Sequence, residues 1–148
     1  MQLTLGPVLF NWSPEFWRDF YFRIADEAPV ETVVVGEVVC SKRSPFFLKH
    51  LPEVVDRLAA AGKKVLFGSL ILVSQPRERR QTVELTEAEG VTVEINDLSC
   101  LASLAGRPHA IGPFVNTYNE ATAAYFVRGG AERICLPPEL SMPSVAAI

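Results

Sequence analysis

The feature that most constrains this chain is a repeated switch between two periodicities. Short β-rich apolar runs at residues 3–10, 32–39, 64–72, 91–95, 109–114 and 132–136 alternate with longer stretches of helical period. Strands separated by helices at intervals of 20 to 30 residues predict right-handed βαβ units and a parallel sheet. The runs are nearly continuous rather than alternating, as strands covered on both faces are. Six strands would fit a doubly wound open sheet, but no G-x-G-x-x-G follows the first, which leaves the dinucleotide reading weak. The expected class is α/β, a parallel βα-repeat, TIM-barrel-like but truncated at about six βα units. A complete eight-unit barrel takes about 250 residues, and this chain has 148. The expectation is therefore one barrel-like domain over residues 1–148, the N-terminal fragment of a longer protein.

Helix ends are marked in the sequence. Ser13 followed by Pro14 suits an N-cap and first helical position. Phe16, Trp17, Phe20, Tyr21, Ile24 and Ala25 then fall on one broad helical face. A second helix is expected from Pro52 to a stop at Gly62, and a charged third over residues 76–89 before Gly90. A short helix over 98–105 follows Asp97 as cap, another runs from Asn119 to Val127, and a last begins at Ser141.

Composition narrows the function classes. Nearly half the chain, 49%, is apolar, with 14 basic against 17 acidic residues and a net charge of −3. Disorder is excluded on that balance, and a sequence pI near 5.4 disfavours binding driven by phosphate neutralisation. Three cysteines without close pairing argue against a secreted disulfide framework. No run reaches the length of a membrane span, and the N-terminus lacks a basic leader. A cytoplasmic location is the expectation.

In parallel α/β folds ligands gather at the carboxyl ends of strands. Those ends carry Glu37, Cys40, Lys42 and Arg43, then Ser69, then Asn96 and Asp97, then Asn116, Tyr118 and Asn119, and finally Glu139. Asp97, Asn119 and Ser141 sit where a helix N-cap is wanted, and capping is the preferred account of them. Glu37 has an alternative role as an ion-pair partner of Lys42 or Arg43. Arg77, Arg79 and Arg80, mixed with Glu78 and Glu84, read as a solvated helix face. His50 and His109 lie far apart with no carboxylate pattern, so no Ser-His-Asp or Cys-His site is indicated. Cys100 and Cys135 read as small buried apolar residues. Cys40 stands apart, past a strand end and beside two cations that favour the thiolate.

Three stretches, Leu5-Gly6-Pro7-Val8-Leu9, Gly36-Glu37-Val38-Val39-Cys40-Ser41-Lys42-Arg43 and Cys135-Leu136-Pro137-Pro138-Glu139-Leu140-Ser141, resemble the collagenase-like peptidase family. The likeness is greatest to its ubiquinone-biosynthesis branch, with Asn96-Asp97-Leu98 and Asn116-Thr117-Tyr118-Asn119 in support. It covers the whole chain but only the front half of such a protein. The resemblance implies a barrel-like iron–sulfur accessory protein of anaerobic ubiquinone ring hydroxylation, with prephenate as oxygen source. It implies a 4Fe-4S cluster with Cys40 as the first ligand, the other three falling in a later segment. It further implies a heterodimer with a sister family subunit (UbiU-like) and a small lipid-carrier protein (UbiT-like). Glu37, Lys42, Arg43, Asn116, Tyr118 and Glu139 would line the pocket; no catalytic residue is assigned. The alternatives are a peptidase-related hydrolase and a non-catalytic partner subunit. Pro138 stands where the wider family often has Arg before Glu-Leu-Ser, so peptidase activity has no residue-level support.

Overall fold

The computed structural model describes residues 2–104 and 106–148 and divides into two compact units, Met1–Gly68 and Ser69–Ile148. The expected class holds: six strands alternate with helices as a parallel α/β βα-repeat of TIM-like kind.

In the first unit the strands β1 (Thr4–Leu5), β2 (Thr32–Val35) and β3 (Lys64–Gly68) lie side by side in chain order, all parallel. Thr4 is in register with Thr32, and Val35 with Phe67. Helix α1 (Pro14–Glu27) starts as its sequence predicts, the Ser13 side chain accepting from the Phe16 N–H at 3.3 Å. Its buried stripe is Trp17, Tyr21 and Ala25, an i, i+4, i+8 series. Phe16 leaves the core instead and meets Trp12 edge-on at 4.8 Å. Trp17 stacks on Phe47 at 5.0 Å, and both pack with Val33, Val35, Val54 and Leu58. The Tyr21 hydroxyl accepts from the Val8 N–H and donates to the Val34 carbonyl, joining helix, strand and N-terminal segment. Burial pushes its ionisation far above the ordinary phenol value. The helix expected from Pro52 is α3 (Leu51–Ala60). Before it the sequence reading missed a four-residue helix α2 (Ser44–Phe47) and a 3₁₀ turn, Leu48–His50.

The second unit has β4 (Val93–Ile95), β5 (His109–Ile111) and β6 (Ala131–Ile134), again parallel and in order. Its helices are α4 (Pro76–Glu87), α5 (Leu101–Leu104, after a 3₁₀ turn at Leu98–Cys100), α6 (Glu120–Arg128) and α7 (Met142–Ala147). The expected helix over 98–105 is thus a composite, and Ala105 lies outside the described residues. Asp97, Asn119 and Ser141 all cap, accepting from Ser99, Thr122 and Ser144 N–H groups. Val93, Ile95, Cys100, Leu104, Ile111 and Phe126 form the core.

Most strands are shorter than their apolar runs. β1 ends before Gly6-Pro7, where proline has no N–H to give a ladder. β2 stops at Gly36, whose φ of +105° turns the chain out of the sheet. β5 gives way to a 3₁₀ turn, Pro113–Val115.

Candidate functional site

The segment after β2 is organised by one carboxylate. Glu37 Oε1 accepts from the Val39 N–H at 2.7 Å, the Cys40 N–H at 2.8 Å and Arg43 Nη2 at 2.7 Å. The Glu37 side chain is 4% exposed and that of Arg43 16%, so the pair is largely withdrawn from water. Such a pair resists disruption because either partner alone would be a stranded charge. The Arg43 guanidinium also reaches the Leu9 carbonyl, and its backbone N–H returns to the Cys40 carbonyl at 2.9 Å. Gly36 passes over β3 closely enough that a Cβ would meet the Gly68 carbonyl at 3.4 Å. A Cβ on Gly68 would lie 2.6 Å from a Val38 methyl, so a bare backbone there seats Val38. The result is a fixed turn with Cys40 half-buried on it.

Of the cations expected to favour a Cys40 thiolate, Arg43 is committed to Glu37, while Lys42 is exposed. The bland reading of Glu37 as an ion-pair partner is the one the geometry adopts. His50, expected to lack carboxylates, acquires two: Glu53 at 2.5 Å from Nδ1 and Glu15 at 4.0 Å from Nε2. One turn of chain separates His50 from Glu53, and Glu15 comes from α1.

In the second unit a polar group collects at the ends of β4 to β6. Ser69 and Asn96 meet as strand-end residues: the Asn96 N–H donates to Ser69 Oγ at 2.9 Å and Nδ2 to the Ser69 carbonyl at 3.2 Å. Asn96 is 1% exposed, with Oδ1 lacking a partner among the described residues. Glu94, two residues back on the same face, was missed by the sequence reading. It is buried, and desolvation pushes its carboxyl above the ordinary range against a hydrogen bond from Asn96 and the field of Arg133. Register explains the Arg133 contribution, since Ala110 pairs with Glu94 on one side and Arg133 on the other. The available signal was a lone charge inside the run Val91-Thr92-Val93-Glu94-Ile95. Gly112 completes the group, because a Cβ there would lie 2.0 Å from Asn96 Oδ1 and 3.1 Å from Glu94 Oε1.

The remaining expected lining residues fall nearby in the chain but differ in setting. Tyr118 donates to the Glu139 carboxylate, which raises the phenol's ionisation and lowers the acid's. Both are exposed, as is Asn116, which holds a left-handed conformation at φ +62°. Cys100 is sealed in the core at 0% exposure, as expected, and burial pushes its thiol up. Cys135 corrects its expectation: it is exposed, one residue past β6, because the strand ends at Ile134. Partial desolvation and then the Glu94 carboxylate push its thiol up.

For a metal centre, Cys40 suits the role of one thiolate ligand, being half-buried on a fixed turn at a strand's carboxyl end. Among the described residues no three His, Cys, Asp or Glu side chains gather to hold an ion, so a four-thiolate cluster is not assembled from them. No helix among them is long and apolar enough to cross a membrane.

Parallel βα units with polar side chains gathered at strand carboxyl ends define an α/β protein of the βα-repeat class. The model of Peptidase family U32 matches residues 17–148, and the chain belongs to that family. The family includes the ubiquinone hydroxylases, and some of its members hold iron–sulfur clusters. No solved structure matches the chain.

Proposed function

We propose that this chain serves oxygen-independent ubiquinone biosynthesis as an iron–sulfur accessory protein of the UbiV type. In this reading it acts in anaerobic ring hydroxylation beside a UbiU-like sister subunit, with a UbiT-like lipid carrier. The observation that carries it is the turn in which Glu37 holds the Cys40 amide while the thiol stays half-buried. Family membership supports it as well.

Cys40 would supply one thiolate to a 4Fe-4S cluster, and such a cluster provides electron transfer when bound. The chain's own residues position that sulfur. Glu37 fixes the two amides before it, and Arg43 neutralises Glu37 so that the acid does not repel a thiolate. Lys42 remains as the exposed cation of the turn, available to offset negative charge nearby.

The test is anaerobic purification of the full-length protein with iron and sulfide analysis and visible spectroscopy. Wild type is expected to show broad charge-transfer absorbance that Cys40→Ala abolishes along with the bound iron. Iron-free protein that still supports anaerobic ubiquinone formation would overturn the reading. Peptide hydrolysis is the second reading, supported by the family's description. Peptide cleavage unaffected by Cys40→Ala would favour it.

A further inference from the structure

Helix α4 carries its exposed charges in blocks. Arg77, Arg79 and Arg80 occupy its first half, and Glu84 and Glu87 its second, with Glu89 just beyond. The one acid among the arginines, Glu78, is turned inward at 7% exposure. Its Oε2 accepts from the Ser74 N–H and the Gln75 N–H, each at 3.0 Å, and from Ser74 Oγ at 3.3 Å. Glu78 therefore serves as the N-terminal box of the helix. The face is solvated, as the sequence predicts, with Arg79 and Arg80 toward one end and Glu84 and Glu87 toward the other. The charged ends of Arg79, Arg80 and Glu84 form no ion pair among the described residues. They border an open groove of about 590 Å³ with Ser74, Pro76 and Val83.

We propose that this groove is an interface with a second copy of the same chain, its α4 packed antiparallel about a two-fold axis. The midpoint of α4 lies between Gln81 and Thr82. Residues equidistant from it are Arg79 and Glu84, and Arg80 and Val83. A two-fold axis at that midpoint sets Arg79 against Glu84 of the second copy, and the Arg80 stem over its Val83. Each contact then occurs twice, as an isologous interface requires. The antiparallel arrangement also places the positive end of each helix dipole beside the negative end of the other. A long polyanion fits less well, because Glu84 and Glu87 lie on the same helix and the whole chain carries a net charge of −3. Exposed ion pairs are individually weak and screened by salt, so the dimer is a weak, salt-sensitive one. The inference is independent of the iron–sulfur reading.

Sedimentation velocity over a concentration series tests it. The expected result is a monomer–dimer equilibrium at low salt, weakened about tenfold or more at about 0.5 M salt. Arg79→Glu and Glu84→Arg should each reduce dimer formation to a similar degree. An equimolar mixture of the two variants should regain it, since each introduced charge then faces its opposite. Far-UV circular dichroism checks that these surface variants fold. Monomer at every concentration would overturn the proposal. So would a dimer indifferent to both substitutions, the behaviour expected of pairing through an open strand edge.

Discussion

The two units contain the same βα repeat and stabilise it differently. The first is built on aromatic area: Trp17, Tyr21 and Phe47 against the β2 valines, with Thr32 and Ser41 the buried polar residues among those described. The second buries Ser69, Glu78, Thr82, Thr86, Glu94, Asn96, His109 and Thr117 around an aliphatic core. Apolar burial is non-directional and indifferent to pH, whereas each buried polar group depends on a specific partner. One fold is thus held in one half by contact area and in the other by hydrogen-bond geometry. Strand-end chemistry sits in both: the first unit withdraws the Glu37 carboxylate from water against Arg43, and the second buries the Glu94 carboxyl within a strand.

The largest expected effect breaks the comparison on the aromatic side. Trp17→Ala should cost about 3–5 kcal/mol through lost burial and the cavity left beside Phe47 and Tyr21. Both tryptophans lie in the first unit, so in this variant Trp12 fluorescence is the local probe for denaturant unfolding. A loss under about 1 kcal/mol would show that the site refills by relaxation. Next is Gly112→Ala, which forces a methyl into Asn96 Oδ1 and should cost about 1–3 kcal/mol. Hydrogen exchange of the β4 and β5 amides should accelerate; amides that exchange as in wild type would show that the Asn96 side chain gives way.

The smallest effect sharpens the contrast in pH. Burial raises the folded-state ionisation of Glu94 above its ordinary value, in a setting that includes Asn96, Arg133 and Cys135. The folded state therefore holds that proton more tightly than the unfolded state does. The contribution is fully present below the ordinary carboxyl value and is lost as pH rises through the raised one. Glu94→Gln should remove this slope, leaving a variant more stable than wild type at neutral pH but not in acid. Denaturant midpoints measured from about pH 4 to 8 check it; parallel curves would show that Glu94 ionises as freely in the fold as outside it.

Much of this architecture was legible because it rests on local signals. Pro14 after Ser13, Asp97, Asn119 and Ser141 each mark a helix start by chemistry confined to four residues. Strand ends were less legible, because Val38, Leu70 and Phe114 continue an apolar run after the backbone has left the sheet. Periodicity detects burial, and these loop residues are apolar too. At the candidate site, Cys40 and Glu37 stood out by type and position. The pairing of Glu37 with Arg43 was one of the roles open in the sequence, since the two lie on one short turn. That Glu94 would be buried beside Asn96 depended on register and on Gly112, both long-range facts. Cys135 was misjudged by a single residue at the end of β6, which in a strand is enough to change its surroundings.

The three-way grip of Glu37 Oε1 has a consequence for the order of events at this turn. Because the amides of Val39 and Cys40 are already held, the entropy of arranging the loop is met during folding rather than on arrival of a guest. Under the proposed iron–sulfur reading, a sulfur presented this way would be a docking post whose address is set in advance, and loading would be governed by the guest's approach rather than by a search of loop shapes.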